Sequence, residues 1–98
     1  MNYTTPIANG FTIYSKSGCL KCNSVKNFIK DAHLLFEEID CDAFLEEDKE
    51  SFLTFINQLT NKNCKQFPMV FYNKNYIGGL TETIDFIDKL LLSFEDNF

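Results

Sequence analysis

Apolar residues recur along this chain in two rhythms, and the switch between them marks its elements. Phe11–Ser15 (FTIYS) is short and mostly apolar, the pattern of a strand covered on both faces of a sheet. Ser17-Gly18 breaks it. From about 20 to 32, Val25, Phe28, Ile29 and Ala32 fall at helical intervals. Residues 35–40 (LFEEID) alternate as a second strand, with Leu35, Glu37 and Ile39 facing one way and Phe36, Glu38 and Asp40 the other. The helical rhythm returns from about 43 to 60 in Leu45, Phe52, Phe55, Ile56 and Leu59. Glu46, Glu47 and Asp48 are assigned to its first turn, where the helix dipole favours anions, and Asn61-Lys62-Asn63 ends it. Residues 68–72 (PMVFY) read as a third strand, 73–75 as a turn and 76–78 (YIG) as a fourth strand, so close that the two must form an antiparallel hairpin. Thr81 is placed as the cap of a last helix with Glu82 and Asp85 in its first turn and Ile84, Ile87, Leu91 and Phe94 on its inner side.

The order is therefore β-α-β-α-β-β-α, an α/β fold with a four-stranded mixed sheet flanked by helices. The first two strands are joined through a helix and so lie parallel. The 98 residues predict one domain over 1–98, with 1–10 as a loose leader or surface turn containing Pro6 and Gly10. Apolar residues make up 45% of the chain, enough for one core without cross-links, and eleven Phe and four Tyr supply most of its bulk.

Charge and hydropathy narrow the function. A net charge of −5 disfavours nucleic acid, whose phosphates need a basic footprint. No stretch approaches the roughly 20 apolar residues of a membrane helix. The first ten residues lack the basic-then-apolar form of a signal peptide, so the expectation is a cytoplasmic protein in a reducing compartment.

In that setting the four cysteines, Cys19, Cys22, Cys41 and Cys64, carry the candidate chemistry. Cys19-Leu20-Lys21-Cys22 is a C-x-x-C placed after a strand and at the start of a helix. Free backbone N–H groups and the positive end of the helix dipole stabilise a thiolate at Cys19, with Lys16 and Lys21 adding charge. The thiolate is the attacking species in disulfide exchange, and one helical turn brings Cys22 near enough to resolve the intermediate. The competing reading is structural zinc, which wants about four ligands, usually in two close pairs. Cys41, Cys64 and His33 are the remaining candidates and none is paired at such spacing. No metal is therefore expected.

Three motifs give a resemblance to the glutaredoxins over about residues 10–94. The first is Tyr14-Ser15-Lys16-Ser17-Gly18-Cys19-Leu20-Lys21-Cys22. The second is Lys65-Gln66-Phe67-Pro68, in the place of the family's basic–Thr–Val–cis-Pro segment. The third is Gly78-Gly79-Leu80-Thr81-Glu82, similar to its double glycine and polar helix start. The resemblance implies a thioredoxin-like fold, a redox disulfide between Cys19 and Cys22, and glutathione as co-substrate. It implies that Lys16 and Lys65 hold the glycyl carboxylate of glutathione and that the Phe67 backbone pairs with its cysteinyl part. Leu80 and Thr81 would offer N–H groups to the γ-glutamyl carboxylate, and Pro68 would be cis beside the cysteine pair. A helix N-terminus is an anion site in its own right, which supports the role of Leu80 and Thr81 independently. The chain departs from the family in carrying Leu20-Lys21 for Pro-Tyr, Gln66-Phe67 for Thr-Val, and Glu82 for the commoner Asp.

The reading is a monomeric glutathione-disulfide oxidoreductase of cell redox homeostasis and electron transport. Cys19 attacks protein disulfides or glutathionylated proteins; Cys22 or a glutathione thiol resolves. Two alternatives stand beside it: a thioredoxin-like reductant recharged by a flavoprotein reductase, and a dimer holding a [2Fe–2S] cluster through the first cysteine and glutathione. Cys41 is read as a small packing residue. Cys64, four residues before Pro68, is a candidate regulatory thiol, and His33 is read as interacting with the dipole of the first helix.

Overall fold

The computed structural model describes residues 3–95, with side chains through Leu92. Its elements are β1 (Phe11–Ser15), α1 (Leu20–Asp31), β2 (Phe36–Asp40), α2 (Asp42–Thr60), β3 (Met69–Tyr72), β4 (Asn75–Gly78) and α3 (Leu80–Glu95). The sheet order is β2-β1-β3-β4. β1 runs parallel to β2 and antiparallel to β3, and β4 pairs antiparallel with β3. The chain order of the elements and the four-stranded mixed sheet are those that the sequence predicts.

Strand alternation divides the core in two. Phe11 and Ile13 of β1 and Val70 of β3 face α1 and α3, where they meet Val25, Ile29 and Ile87. Tyr14 of β1 and Met69 and Phe71 of β3 face α2, where they meet Phe52 and Ile56. β1 and β3 are central and covered on both sides, which is why FTIYS and PMVFY carry apolar residues at nearly every position.

Local signals explain most element ends. The hairpin between β3 and β4 turns on Asn73 and Lys74, both at positive φ, the two-residue geometry that matches strand twist. Asn75 belongs to β4 rather than to the turn. α1 closes through His33, at φ 59°: its N–H donates to Lys30 O (3.0 Å) and the Leu34 N–H to Ile29 O (3.2 Å). The backbone of His33 thus closes the helix, and its side chain is exposed at that C-terminal end.

Four further sequence expectations are corrected. α2 is not one smooth helix: Asp48 leaves helical geometry (φ −161°, ψ 85°) and its Oδ1 accepts the Ser51 N–H (3.0 Å). Asp48 therefore caps a second helical segment instead of sitting in the first turn of the whole helix. The cap of α3 is Gly79, not Thr81. Glu82 Oε1 accepts the Gly79 N–H (2.8 Å) and the first intrahelical bond runs from Thr83 N–H to Gly79 O (3.1 Å). The buried stripe of α3 passes through Thr83 and Ile87, with Leu80 and Phe86 beside it, so Ile84 is only half-buried and Leu91 is exposed. Phe94 lies outside the described side chains. Finally, residues 3–10 are docked rather than loose. Tyr3 packs edge-on to Phe44 and Phe52, Tyr14 Oη donates to Thr4 O (2.6 Å), and Pro6 is buried. Met1 and Asn2 lie outside the described residues.

Candidate active site

The site gathers at one end of the sheet, where the loop after β1, the loop before β3 and the start of α3 meet. Cys19 caps α1, and its Sγ accepts the Cys22 N–H at 3.1 Å. A sulfur in that position receives a donor that would otherwise be unpaired in the first turn. Cys19 and Cys22 are bonded as a disulfide with Cα atoms 5.2 Å apart, so this is the oxidised pair. Cys19 is half-buried, whereas Cys22 is 1% exposed and packed beneath the helix. Access therefore singles out Cys19 as the sulfur that an external reactant meets first.

The loop that presents Cys19 is tied down from a distance. Asp42, the first residue of α2, accepts the Ser17 N–H on Oδ1 (2.9 Å) and the Ser17 hydroxyl on Oδ2. These two bonds, helped by the nearby Lys16 charge, hold the Asp42 carboxyl below the usual range for aspartate. Asp42 is in turn oriented by its own N–H, which donates to Asp40 Oδ1 (3.0 Å). Nothing local in the sequence announces this bridge, because its ends lie 25 residues apart.

Beside the pair lies a groove of about 600 Å³. Its walls include Lys21 from α1, Lys65, Phe67 and Pro68 from the segment before β3, and Leu80 and Thr81 from α3. The Phe67–Pro68 bond is cis, as the family likeness implies. Lys65 is exposed, Phe67 half-buried and Pro68 buried. In the first turn of α3 the N–H groups of Leu80 and Thr81 precede the first intrahelical bond, and Gly79's own N–H is taken by Glu82. Of the residues that the family likeness assigns to glutathione, only Lys16 stands apart. It lines a smaller recess with Ser17, Gly18 and Asp40, and its Nζ lies 5.5 Å over the Phe67 ring.

Other parts of the groove carry no motif in the sequence. Tyr76 of β4 lines it, its hydroxyl held above the ordinary tyrosine range chiefly by burial and then by the neighbouring Cys64. Lys62 also lines it, with Nζ 5.8 Å from the centre of the Tyr76 ring. Cys64 is half-buried in the same wall, its N–H bonded to Asn57 Oδ1 (2.9 Å). Cys41 is fully buried on the α2 side of the sheet, and burial, reinforced by Asp40, pushes its thiol up to about 12. It is the packing residue anticipated. No cluster of three or more His, Cys, Asp or Glu able to hold a metal occurs among the described residues.

Comparison with known proteins agrees with this geometry. The protein-family model Glutaredoxin matches residues 11–77. Glutaredoxin 1 of Rickettsia felis is 27% identical over 90 residues, covering 87% of this chain and 83% of its own. Among solved structures, glutaredoxin 1 from Francisella tularensis complexed with cacodylate superposes with a TM-score of 0.72 at 26% identity, over 83% of this chain and 94% of its own. A buckwheat glutaredoxin–glutathione complex superposes with a TM-score of 0.64 at 25% identity, over 79% of this chain and 66% of its own. A thioredoxin-like sheet of this order, a C-x-x-C at the start of α1 and a family match across two thirds of the sequence agree: the chain belongs to the glutaredoxin family and is a thiol oxidoreductase built around Cys19 and Cys22.

Proposed function

We propose that this protein is a glutathione-dependent dithiol oxidoreductase that reduces protein disulfides and glutathionylated proteins in a reducing, cytoplasmic compartment. The observation that carries the reading is the half-buried Cys19 sulfur at the open end of α1, bonded to the backbone N–H of Cys22 and set beside a groove that ends at the free N–H groups of α3.

In the reduced protein the Cys22 N–H and the helix terminus stabilise a thiolate at Cys19 over the thiol. That thiolate attacks one sulfur of a substrate disulfide. A Cys19–substrate disulfide forms, the substrate S–S bond breaks, and the other substrate sulfur leaves as a thiolate that takes a proton from water. Cys22 then attacks Cys19 Sγ, releasing the second substrate thiolate and forming the Cys19–Cys22 bond. Two electrons have passed from the dithiol to the substrate. Two glutathione molecules return them, one forming a mixed disulfide with Cys19 and the second leaving with it as glutathione disulfide.

The groove suits that tripeptide. An extended chain alongside Phe67 can pair with its backbone, and a carboxylate can lie on the Leu80 and Thr81 N–H groups, with Lys65 also lining the groove. The buckwheat relative solved with glutathione supports this reading.

The test is turnover of glutathionylated cysteine with glutathione and a glutathione-disulfide reductase. Wild-type protein turns over; Cys19→Ser loses at least about a hundredfold, the loss that accompanies removal of a nucleophile. Activity supported only by a flavoprotein reductase, with glutathione ineffective, overturns the proposal in favour of a thioredoxin-like reductant.

A further inference from the structure

The groove's charge opposes that of the chain around it. The protein carries a net charge of −5, yet Lys21, Lys62 and Lys65 line the groove against one carboxylate, Glu82. That carboxylate is already engaged by the Gly79 N–H at 2.8 Å. The ion pairs among the described residues, Lys26–Glu38 and Lys89–Asp85, do not involve the groove lysines. Lys65 is accounted for by the glutathione reading and Lys21 adds charge beside Cys19; neither role uses Lys62.

Lys21 and Lys62 both stand on supported backbone. Lys21 sits in the first turn of α1, between the two cysteines. Lys62 sits on the turn after α2, which is knitted to the end of that helix. Its N–H donates to Thr60 Oγ1 (3.1 Å), and Asn57 Oδ1 accepts the Cys64 N–H (2.9 Å). Next to the attacking sulfur, Leu20 leaves 81% of its surface in water. An ammonium on each of two walls and an apolar side chain at the sulfur describe a surface larger than a tripeptide needs.

We propose that this groove selects protein disulfides and glutathionylated proteins whose reactive cysteine is flanked by acidic residues. Lys62 and Lys21 receive Asp or Glu side chains of the substrate, and Leu20 rests on apolar surface beside the target sulfur. The inference rests on the oxidoreductase reading above and adds the substrate class. The partner is a polypeptide rather than a nucleic acid, because only the former brings a disulfide to Cys19.

The experiment compares three glutathionylated peptides of equal length, with acidic, neutral or basic flanks, against glutathionylated cysteine. At low salt the acidic peptide should exceed the neutral one by about tenfold in kcat/KM, mainly through KM, and the advantage should shrink at high salt. With each peptide's kcat/KM divided by that of the same variant on glutathionylated cysteine, Lys62→Glu should cut the acidic-over-neutral advantage by about fivefold, the scale of an exposed ion pair turned into a repulsion. Equal kcat/KM for all three peptides, or an acidic preference untouched by Lys62→Glu, overturns this inference while the small substrate still reports a working enzyme. A single-stranded oligonucleotide that competes as well as the acidic peptide also overturns it, by showing an undirected polyanion effect. Failure to turn over glutathionylated cysteine itself would sink the parent reading and this one with it.

Discussion

Cys19 and Cys41 occupy matching places in the chain: each follows a strand and stands at the cap of the next helix. Their chemistry is opposite. Cys19 receives a backbone N–H on its sulfur and is reachable from outside. Cys41 makes no side-chain cap; it is fully buried, its sulfur turned toward Ile39 O (3.5 Å), with the Asp40 and Asp42 charges adding to burial against ionisation. A helix terminus is therefore insufficient to activate a thiol. A backbone hydrogen bond is not enough either, since the one that Cys41 shares with Ser15 is outweighed by burial; the anion must be solvated or paired, and a reactant must be able to approach.

The largest way to break this comparison is to exchange reactivities by mutation. Cys41→Ala should leave turnover within about twofold of wild type, against the hundredfold or greater loss for Cys19→Ser. Its cost should appear instead in denaturant unfolding, at about 1–3 kcal/mol for emptying a packed site. An equal loss of activity in both variants would erase the distinction.

Alkylation of the reduced protein sharpens it further. A thiol pushed up to about 12 is ionised at pH 7 only about one part in 10⁵, roughly a thousandfold less than an ordinary cysteine. Cys41 should react with iodoacetamide about a thousandfold more slowly than in the unfolded chain, while Cys19 reacts first. Mass spectrometry of timed aliquots reads both. Cys41 labelling as fast in the native protein as in urea would contradict its assigned burial.

A smaller effect lies in alkali. The folded-state pKa of Cys41 is raised, so its contribution to stability is fully present below the unfolded value and is lost as pH climbs from about 9 toward about 12. Unfolding midpoints of wild type should fall across that window more steeply than those of Cys41→Ala. Matching slopes would show that the thiol is not the titrating group.

The smallest effect concerns the bridge between the two caps. Asp42 has a depressed folded-state pKa, so its contribution is present above the unfolded aspartate value and disappears as pH falls below about 4. Asp42→Asn should flatten that acid limb and, by loosening the Ser17 loop, reduce turnover about threefold, an effect on the scale of one hydrogen bond. Unchanged pH dependence would mean that the Ser17 contacts do not persist in solution.

The sequence made the central strands, the hairpin and the cysteine pair legible because each rests on local signals: dense apolar runs, Asn-rich turns and a C-x-x-C at a strand–helix junction. The inner face of α3 departs from the apolar pattern for a physical reason. Its buried stripe includes Thr83, a polar residue with no exposure, so counting apolar positions shifted the helix by about one residue. The kink in α2 was hidden because Asp48 lies among acids that also suit a continuous exposed face, and only its bond to Ser51 separates a cap from a solvated side chain. At the site, the groove walls were visible in motif order, whereas Asp42, Tyr76 and Lys62 reach it through tertiary folding alone.

The docked segment at the front of the chain has a practical consequence. The family match opens at Phe11, so a boundary drawn there would discard the tyrosine at position 3 that shields Phe44, Phe52 and Phe55. A version trimmed to that boundary would keep every redox residue and yet present a sticky aromatic floor to its neighbours, making self-association, rather than lost chemistry, its characteristic failure.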